Sequence, residues 1–260
     1  MAEYLEPKVA QNESGLRLVL TTGVPGPWGE AAKSIFYVKK IPYQRVRQEA
    51  GLPNEDLVAW TGTANAPQAV LDEEPSRSGW AEILLLAERL SEKPRLIPSD
   101  PHDRALCFGL SFEICGEDGF GWNRRLQLLH PMLSMPDAES NPALAAPRRL
   151  GARYGYSASR AAAADRRVCE ILQLLSEQLA AQKAKGSAFL VGDALSAVDL
   201  YWSTFAAMLK PLPEELCPMS EMLRGAYGTL TPAIEAAVDG ALLEHRDRIY
   251  AEFLELPLEL

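Results

Sequence analysis

The sequence predicts an α/β module followed by an all-helical domain, and three observations carry that prediction. Short β-type apolar runs alternate with helical patterns as far as Leu90, and beyond Pro101 the patterned stretches have helical periodicity. Between them the segment Ser91 to Pro101, SEKPRLIPSDP, places three prolines in eleven residues. A change of texture across such a connection marks a domain boundary. The organisation read from it is an extension over residues 1–15, an α/β unit over 16–92, a linker over 93–100 and a helical domain over 101–260.

Leu16 to Leu20, LRLVL, is a strand that stops at the breaker-rich Thr22 to Gly29, TGVPGPWG. A helix is expected from Pro27 to about Lys40, because Ala31, Ala32, Ile35, Phe36 and Val38 share one face and proline suits the first helical position. Tyr43 to Val46 reads as a second strand. Val58 to Trp60 and Gln68 to Leu71 read as two more around Ala66-Pro67, and Gly79 to Leu90 as an apolar helix. The order is β-α-β, then β-β-α.

After the linker, Asp103 to Leu133 is helical in pattern with interruptions at Gly116, Gly119 and Gly121, and Pro131 to Pro147, with four prolines, is expected to be a loop. Ala152 to Lys185 reads as one long helix, followed by helices over Ser196 to Leu209 and Thr231 to about Phe253. Ser196 and Asp199 have the spacing of a capping box, in which the residue at N3 returns a bond to the N-cap amide; its role is structural.

Composition narrows the function classes. Over 260 residues, 47% are hydrophobic and 23% charged, which describes a globular chain with a sizeable core. The net charge of −9, divided evenly between the two halves, excludes nucleic acid as the main partner, because phosphate binding needs clustered lysine and arginine. The longest strongly apolar stretch, Ile83 to Ala87, is far too short for a bilayer span. The opening MAEYLEPKVAQNESG lacks the basic start and apolar run of a secretory signal, so a cytoplasmic protein without membrane contact is expected. Cys107, Cys115, Cys169 and Cys217 show neither a CxxC nor metal-ligand spacing, and only His102, His130 and His245 could assist them. Reduced thiols and no metal are expected.

The βαβ-ββα unit, the proline-rich linker and the helical domain together resemble the cytosolic glutathione S-transferase superfamily. The resemblance is specific in three segments: GPWGEAAKSIFYVKKIPY, Gly26 to Tyr43, which looks like the first helix of that family; Ala66-Pro67, at the place of its cis-proline; and FLVGDALSAVDLYW, Phe189 to Trp202, similar to its C-terminal signature. It implies a thioredoxin-like N-terminal domain with a helical C-terminal one, glutathione as co-substrate without a metal, a small-molecule electrophile and a homodimer. It also implies that Ala66 and Pro67 present backbone to the cysteinyl part of glutathione. Arg77 and Ser78 stand where the family has an acidic residue and a serine for the γ-glutamyl end; an arginine there would favour the carboxylate over the ammonium, or is simply a solvated charge.

At the catalytic position the chain departs from the family. These enzymes hold the glutathione sulfur as thiolate, the nucleophilic form, with a Tyr, Ser or Cys near the start of the first helix. The resemblance puts Gly26 at the serine or cysteine position, so the expected hydroxyl or thiol is absent. Three explanations stay open: the amides of Trp28 and Gly29 hold the thiolate with the helix dipole; Thr21 or Thr22 supplies a hydroxyl; or the domain binds glutathione or an acidic ligand without transfer. For the electrophile, the wall is expected from Cys107 to Arg125, with Trp28, Phe108, Phe112, Trp122 and Arg125 as lining candidates and Glu113 and Arg124 read equally as solvated charges. A thiol-disulfide oxidoreductase on the same fold is disfavoured because no cysteine precedes Cys107. The leading expectation is a glutathione transferase-like enzyme, with a non-catalytic ligand-binding or scaffold protein, or a glutathione-dependent isomerase or lyase, as alternatives.

Overall fold

A computed structural model describes residues 3–260. The chain order is α1 (Pro7–Ala10), β1 (Leu16–Thr21), α2 (Pro27–Val38), β2 (Gln44–Gln48), α3 (Glu55–Thr61), β3 (Gln68–Leu71), α4 (Trp80–Leu90), then α5 (Pro101–Cys115), α6 (Phe120–Leu133), α7 (Ala145–Arg153), α8 (Ala158–Ala184), α9 (Ala197–Phe205), α10 (Glu221–Gly228), α11 (Pro232–Ala237) and α12 (Gly240–Phe253). The three-stranded sheet has the order β2-β1-β3, with β1 parallel to β2 and antiparallel to β3. Leu16 to Leu20 are buried without a break, as a strand covered on both faces requires. Ala69 and Arg77 add one antiparallel bridge at the β3 edge, and Leu5 bridges Val46, so the segment before β1 joins the edge of β2. The architecture is a small mixed sheet with helices, followed by a helical half.

Several elements differ from the sequence expectation for identifiable reasons. Val58 to Trp60 belongs to a helix because Glu55 and Asp56 favour the positive end of α3 and Gly62, at φ 81, ends it in the left-handed region. The prolines between Pro131 and Pro147 do not exclude helix: Pro142 starts a short 3-10 turn and Pro147 sits in the first turn of α7, where an N–H would have no helical partner. Gly155, at φ 60, separates α7 from α8, and Ser157 caps α8 by accepting from the Arg160 amide. The last helical stretch is likewise split, with Asp239 accepting from the Ala241 amide at 2.8 Å. Residues 91–100 contain neither helix nor strand.

The two halves share one core. α9 is buried along its whole length and packs on α2, α5 and α12. At its start Asp199 accepts from the amides of Leu190 (2.8 Å) and Ser196 (2.9 Å) and from the Ser196 hydroxyl (2.7 Å), and lies 2.9 Å from His245 Nε2. Lys39, at the end of α2, donates to the carbonyls of Ser91 (2.6 Å) and Pro94 (2.8 Å) and pairs with Glu88, pinning the connection to the α/β half. No described helix is long and apolar enough to cross a membrane.

Asp199→Ala would leave three buried donors without an acceptor and is expected to cost about 3 kcal/mol or more, against about 1 kcal/mol for Ser196→Ala. Denaturant midpoints of the two variants check this, and a smaller loss for Asp199→Ala than for Ser196→Ala would contradict it.

Candidate functional site

The seam between the sheet and the helical half opens into a cavity of about 110 Å³. The start of α2 forms its floor. Gly26 is the N-cap, Pro27 has no N–H, and the amides of Trp28 and Gly29 bond to nothing among the described residues. These are orphan donors at the positive end of a twelve-residue helix. Gly26 has ordinary extended angles, φ −65 and ψ 123, and a Cβ placed there would meet nothing within 4 Å. The missing side chain therefore leaves open space at the cavity, and not a backbone that demands glycine.

One side of the cavity belongs to the ends of the strands. Thr21 lines it, but its hydroxyl donates to Gln48 Oε1 at 2.7 Å. Thr22, offered as a hydroxyl source, does not line the cavity; its hydroxyl is 3.2 Å from Glu49 Oε1. Ala66 does line it, and the Ala66-Pro67 bond is cis. Neither the amide nor the carbonyl of Ala66 has a partner among the described residues. The loop carrying Ala66 is held from below, since Gln48 donates to the Ala64 carbonyl (3.2 Å) and Gln68 to the Asn65 carbonyl (2.6 Å). Arg77 and Ser78 lie outside the cavity. Arg77 pairs with Glu74, while Ser78 is exposed ahead of α4 with no hydroxyl partner among the described residues.

The opposite side comes from α6 and α7. Trp28 donates through Nε1 to the Cys115 carbonyl at 2.8 Å and stands edge-on to Phe205 at 4.8 Å, so it joins the two halves as well as lining the cavity. Phe108, Phe112 and Trp122 do not line it: Phe108 packs on Trp80, Phe112 is largely exposed, and Trp122 packs on Tyr154 at 4.7 Å. Their positions are taken by Arg125, Leu150, Arg153 and Tyr154. Arg124 is not a solvated charge; it is buried and donates to the carbonyls of Met208, Tyr227 and Thr229. Glu113 pairs with Arg167.

Several lining residues escaped the sequence reading. Arg153 and Tyr154 were hidden in what read as one long helix, and Gly155 was the signal of the break. Gln48 looked like an ordinary strand residue. Tyr4, from the N-terminal extension, and Glu30 with Lys33, from α2, also line the cavity. Burial pushes the Glu30 carboxyl above its usual range, although Lys33 at 3.0 Å pulls it back. No cysteine lines the cavity, and burial raises the Cys107 thiol to about 11, so a protein thiolate is not the nucleophile of this site. Among the described residues no three His, Cys, Asp or Glu side chains converge as a metal site.

No protein-family model matches the sequence, and no curated protein does. Solved structures do. A glutathione S-transferase from Methylobacterium radiotolerans in complex with glutathione sulfonate superposes with a TM-score of 0.62 at 17% identity, covering 92% of each chain. The chain has the glutathione transferase fold. A glutathione S-transferase domain-containing protein from Marinobacter aquaeolei gives 0.63 at 16% identity over 91% of this chain and 98% of that one. A beta-etherase from a Sphingobium strain gives 0.57 at 17% identity over 85% and 98%. The glutathione transferase fold is thus formed here by a sequence no more than 17% identical to these structural neighbours.

Because the space at Gly26 is open and its angles are ordinary, Gly26→Ser is expected to keep or slightly raise the melting temperature, a serine N-cap being better than glycine by a few tenths of a kcal/mol or so. Gly121→Ala, whose Cβ would fall 2.3 Å from the Phe205 ring and 3.1 Å from Trp28, is expected to cost about 1–3 kcal/mol. Thermal melts of both variants check the contrast.

Proposed function

We propose that this chain is a cytoplasmic, homodimeric glutathione transferase-type enzyme that activates the glutathione thiol mainly with backbone. The observation that carries the proposal is the convergence on one cavity of the unpaired Trp28 and Gly29 amides and the unpaired backbone of Ala66. In this reading Ala66, ahead of Pro67, pairs with the cysteinyl unit like a strand edge, and Ser78 with the α4 start receives the γ-glutamyl carboxylate. Residues 16–92 form the glutathione-binding domain, 93–100 the linker and 101–260 the domain that supplies the electrophile's wall.

The chemistry needs a stabilised sulfur anion. Glutathione loses its thiol proton to solvent, and the thiolate accepts from the Trp28 and Gly29 amides at the α2 dipole. Such a terminus contributes about 0.3–1 kcal/mol, and up to about 2 in partly buried geometry. At 1.36 kcal/mol per unit this lowers the thiol pKa by less than about two units. The sulfur then attacks an electrophilic carbon, forming a C–S bond as the leaving group departs with its electron pair. A modest activation of this kind suits an intrinsically reactive electrophile.

A second reading has an observation of its own. Gly26 offers no hydroxyl, and those of Thr21 and Thr22 face Gln48 and Glu49, which favours a ligand-binding protein that keeps the fold without transfer. Isomerase or lyase chemistry on bound glutathione is the remaining variant.

Retention on immobilised glutathione, together with conjugation of a chloronitroarene, tests the proposal; it predicts both, and no retention would sink it. Gly26→Ser separates the two readings: turnover appearing only in the variant, at unchanged glutathione affinity, favours the binding protein.

A further inference from the structure

We propose that Arg125 and Arg153 form an anion-binding half of the cavity, and that the electrophile it takes carries a carboxylate. The inference rests on the transferase reading for the identity of the second substrate, but not for the site itself.

Arg125 and its neighbour Arg124 make the case by contrast. Arg124 is buried and each of its nitrogens reaches a partner: Nε the Met208 carbonyl (3.0 Å), Nη1 Gln127 (2.6 Å), and Nη2 the carbonyls of Tyr227 and Thr229 (3.2 and 3.1 Å). It is a strut. Arg125, one residue on and turned to the cavity, has a buried Nε with no hydrogen-bond partner, and no carboxylate lies within ion-pair distance among the described residues. Its guanidinium sits over the Tyr154 ring at 5.9 Å and faces the Tyr154 and Tyr227 hydroxyls, neutral groups that orient it without neutralising it. A buried charge with an unsatisfied donor is costly unless something pairs with it, and a guanidinium presents the fork that a carboxylate fits.

Arg153 supplies a second cation to the same wall. It ends α7, lines the cavity and has no ion-pair partner among the described residues. Its neighbours are otherwise engaged: Arg148 holds the carbonyls of Ala138 and Asn141, and Arg149 holds the Gly51 carbonyl at 2.6 Å. The one carboxylate side chain that lines the cavity, Glu30, is already paired with Lys33, and the terminal Leu260 carboxylate, which also lines it, makes no ion pair with either arginine among the described residues. In a chain of net charge −9, two arginines on one cavity wall without an ion pair among the described residues are a local reversal of the overall field.

Both arginines project from the helical half, whereas the α2 amides and Ala66 that face glutathione belong to the sheet half. The carboxylate they receive is assigned on this division to the second substrate, and a fall in glutathione affinity in the arginine variants would assign it to the glycyl carboxylate instead.

The test uses pairs of similar shape and different charge, with each kcat/KM referred to the uncatalysed rate of the same compound. With glutathione, 4-chloro-3-nitrobenzoate and 4-chloro-3-nitrobenzamide each undergo substitution: the thiolate sulfur bonds to the ring carbon, the C–Cl bond breaks, chloride leaves with the electron pair and the thiol proton goes to solvent. Unreactive 4-nitrobenzoate and 4-nitrobenzamide report binding by tryptophan fluorescence without turnover. The wild type is expected to favour benzoate over benzamide by about tenfold or more in kcat/KM and in affinity, as hydrogen bonds to a charged group allow. In R153Q and R125Q/R153Q the preference falls toward unity while glutathione affinity stays within about twofold, and R125K restores part of it. No preference in the wild type, or lost glutathione affinity with the preference intact, would overturn the assignment. If the protein retained no glutathione, the transferase reading would fail, and the nitrobenzoate titration would still decide the anion site. R153Q alters a residue at the exposed end of a helix, so its fold, checked by circular dichroism, is preserved even if R125Q proves unstable.

Discussion

The Asp199 carboxylate is the interaction on which the rest of this structure depends. It gathers the Leu190 amide, the Ser196 amide and hydroxyl, and His245, and so fixes the entry of the chain into α9 against α12. Capping bonds of this kind are modest in isolation, but here the donors are buried and have no alternative acceptor in water. α9 is buried throughout and packs against α2, and the first turn of α2 is the floor of the cavity. An error in the α9 entry angle would be passed to the amides of Trp28 and Gly29. Trp28 makes the coupling tangible, since its ring packs on Phe205 of α9 and its Nε1 on the Cys115 carbonyl.

The cavity that results has an unusual division of labour. Its sheet side offers backbone, with orphan helical amides and the unpaired Ala66, held in place by Gln48 and Gln68. Its helical side offers side-chain charge, Arg125 and Arg153. Backbone donors cannot be tuned by substitution as a serine or tyrosine can, but they are rigid, and an amide at a helix start favours any anion placed there. The acidic chain as a whole repels anions, so an anionic ligand of this cavity would depend on these local donors.

Much of the fold was legible in the sequence. The buried run Leu16 to Leu20, the helix beginning at Pro27 and the stretch from Phe189 to Trp202 each carry a strong local signal, and β1, α2 and α9 follow. Val58 to Trp60 was not legible as helix, because the β-prone Val58 and Trp60 outweighed Glu55, Asp56 and Gly62, whose effects are terminal and electrostatic. The prolines around α7 read as breakers because a proline in a first turn looks the same in sequence as one that stops a helix. The site divided in the same way. Gly26, Trp28 and Ala66 lie beside sequence landmarks. Arg153 and Tyr154 reach the cavity only through the turn at Gly155, and the aromatic residues expected in the wall, Phe108 and Trp122, pack instead on Trp80 and Tyr154, as tertiary contacts no local pattern encodes.

The central claim is that the α2 amides, without a side-chain hydroxyl, hold the glutathione sulfur as an anion. The most direct measurement is a pH titration of the ultraviolet thiolate absorbance of glutathione bound to the wild-type protein. The account predicts a thiol pKa lowered from that of free glutathione by a measurable amount but less than about two units, the limit set by a helix terminus acting alone. A bound thiol that titrates like the free one would contradict it.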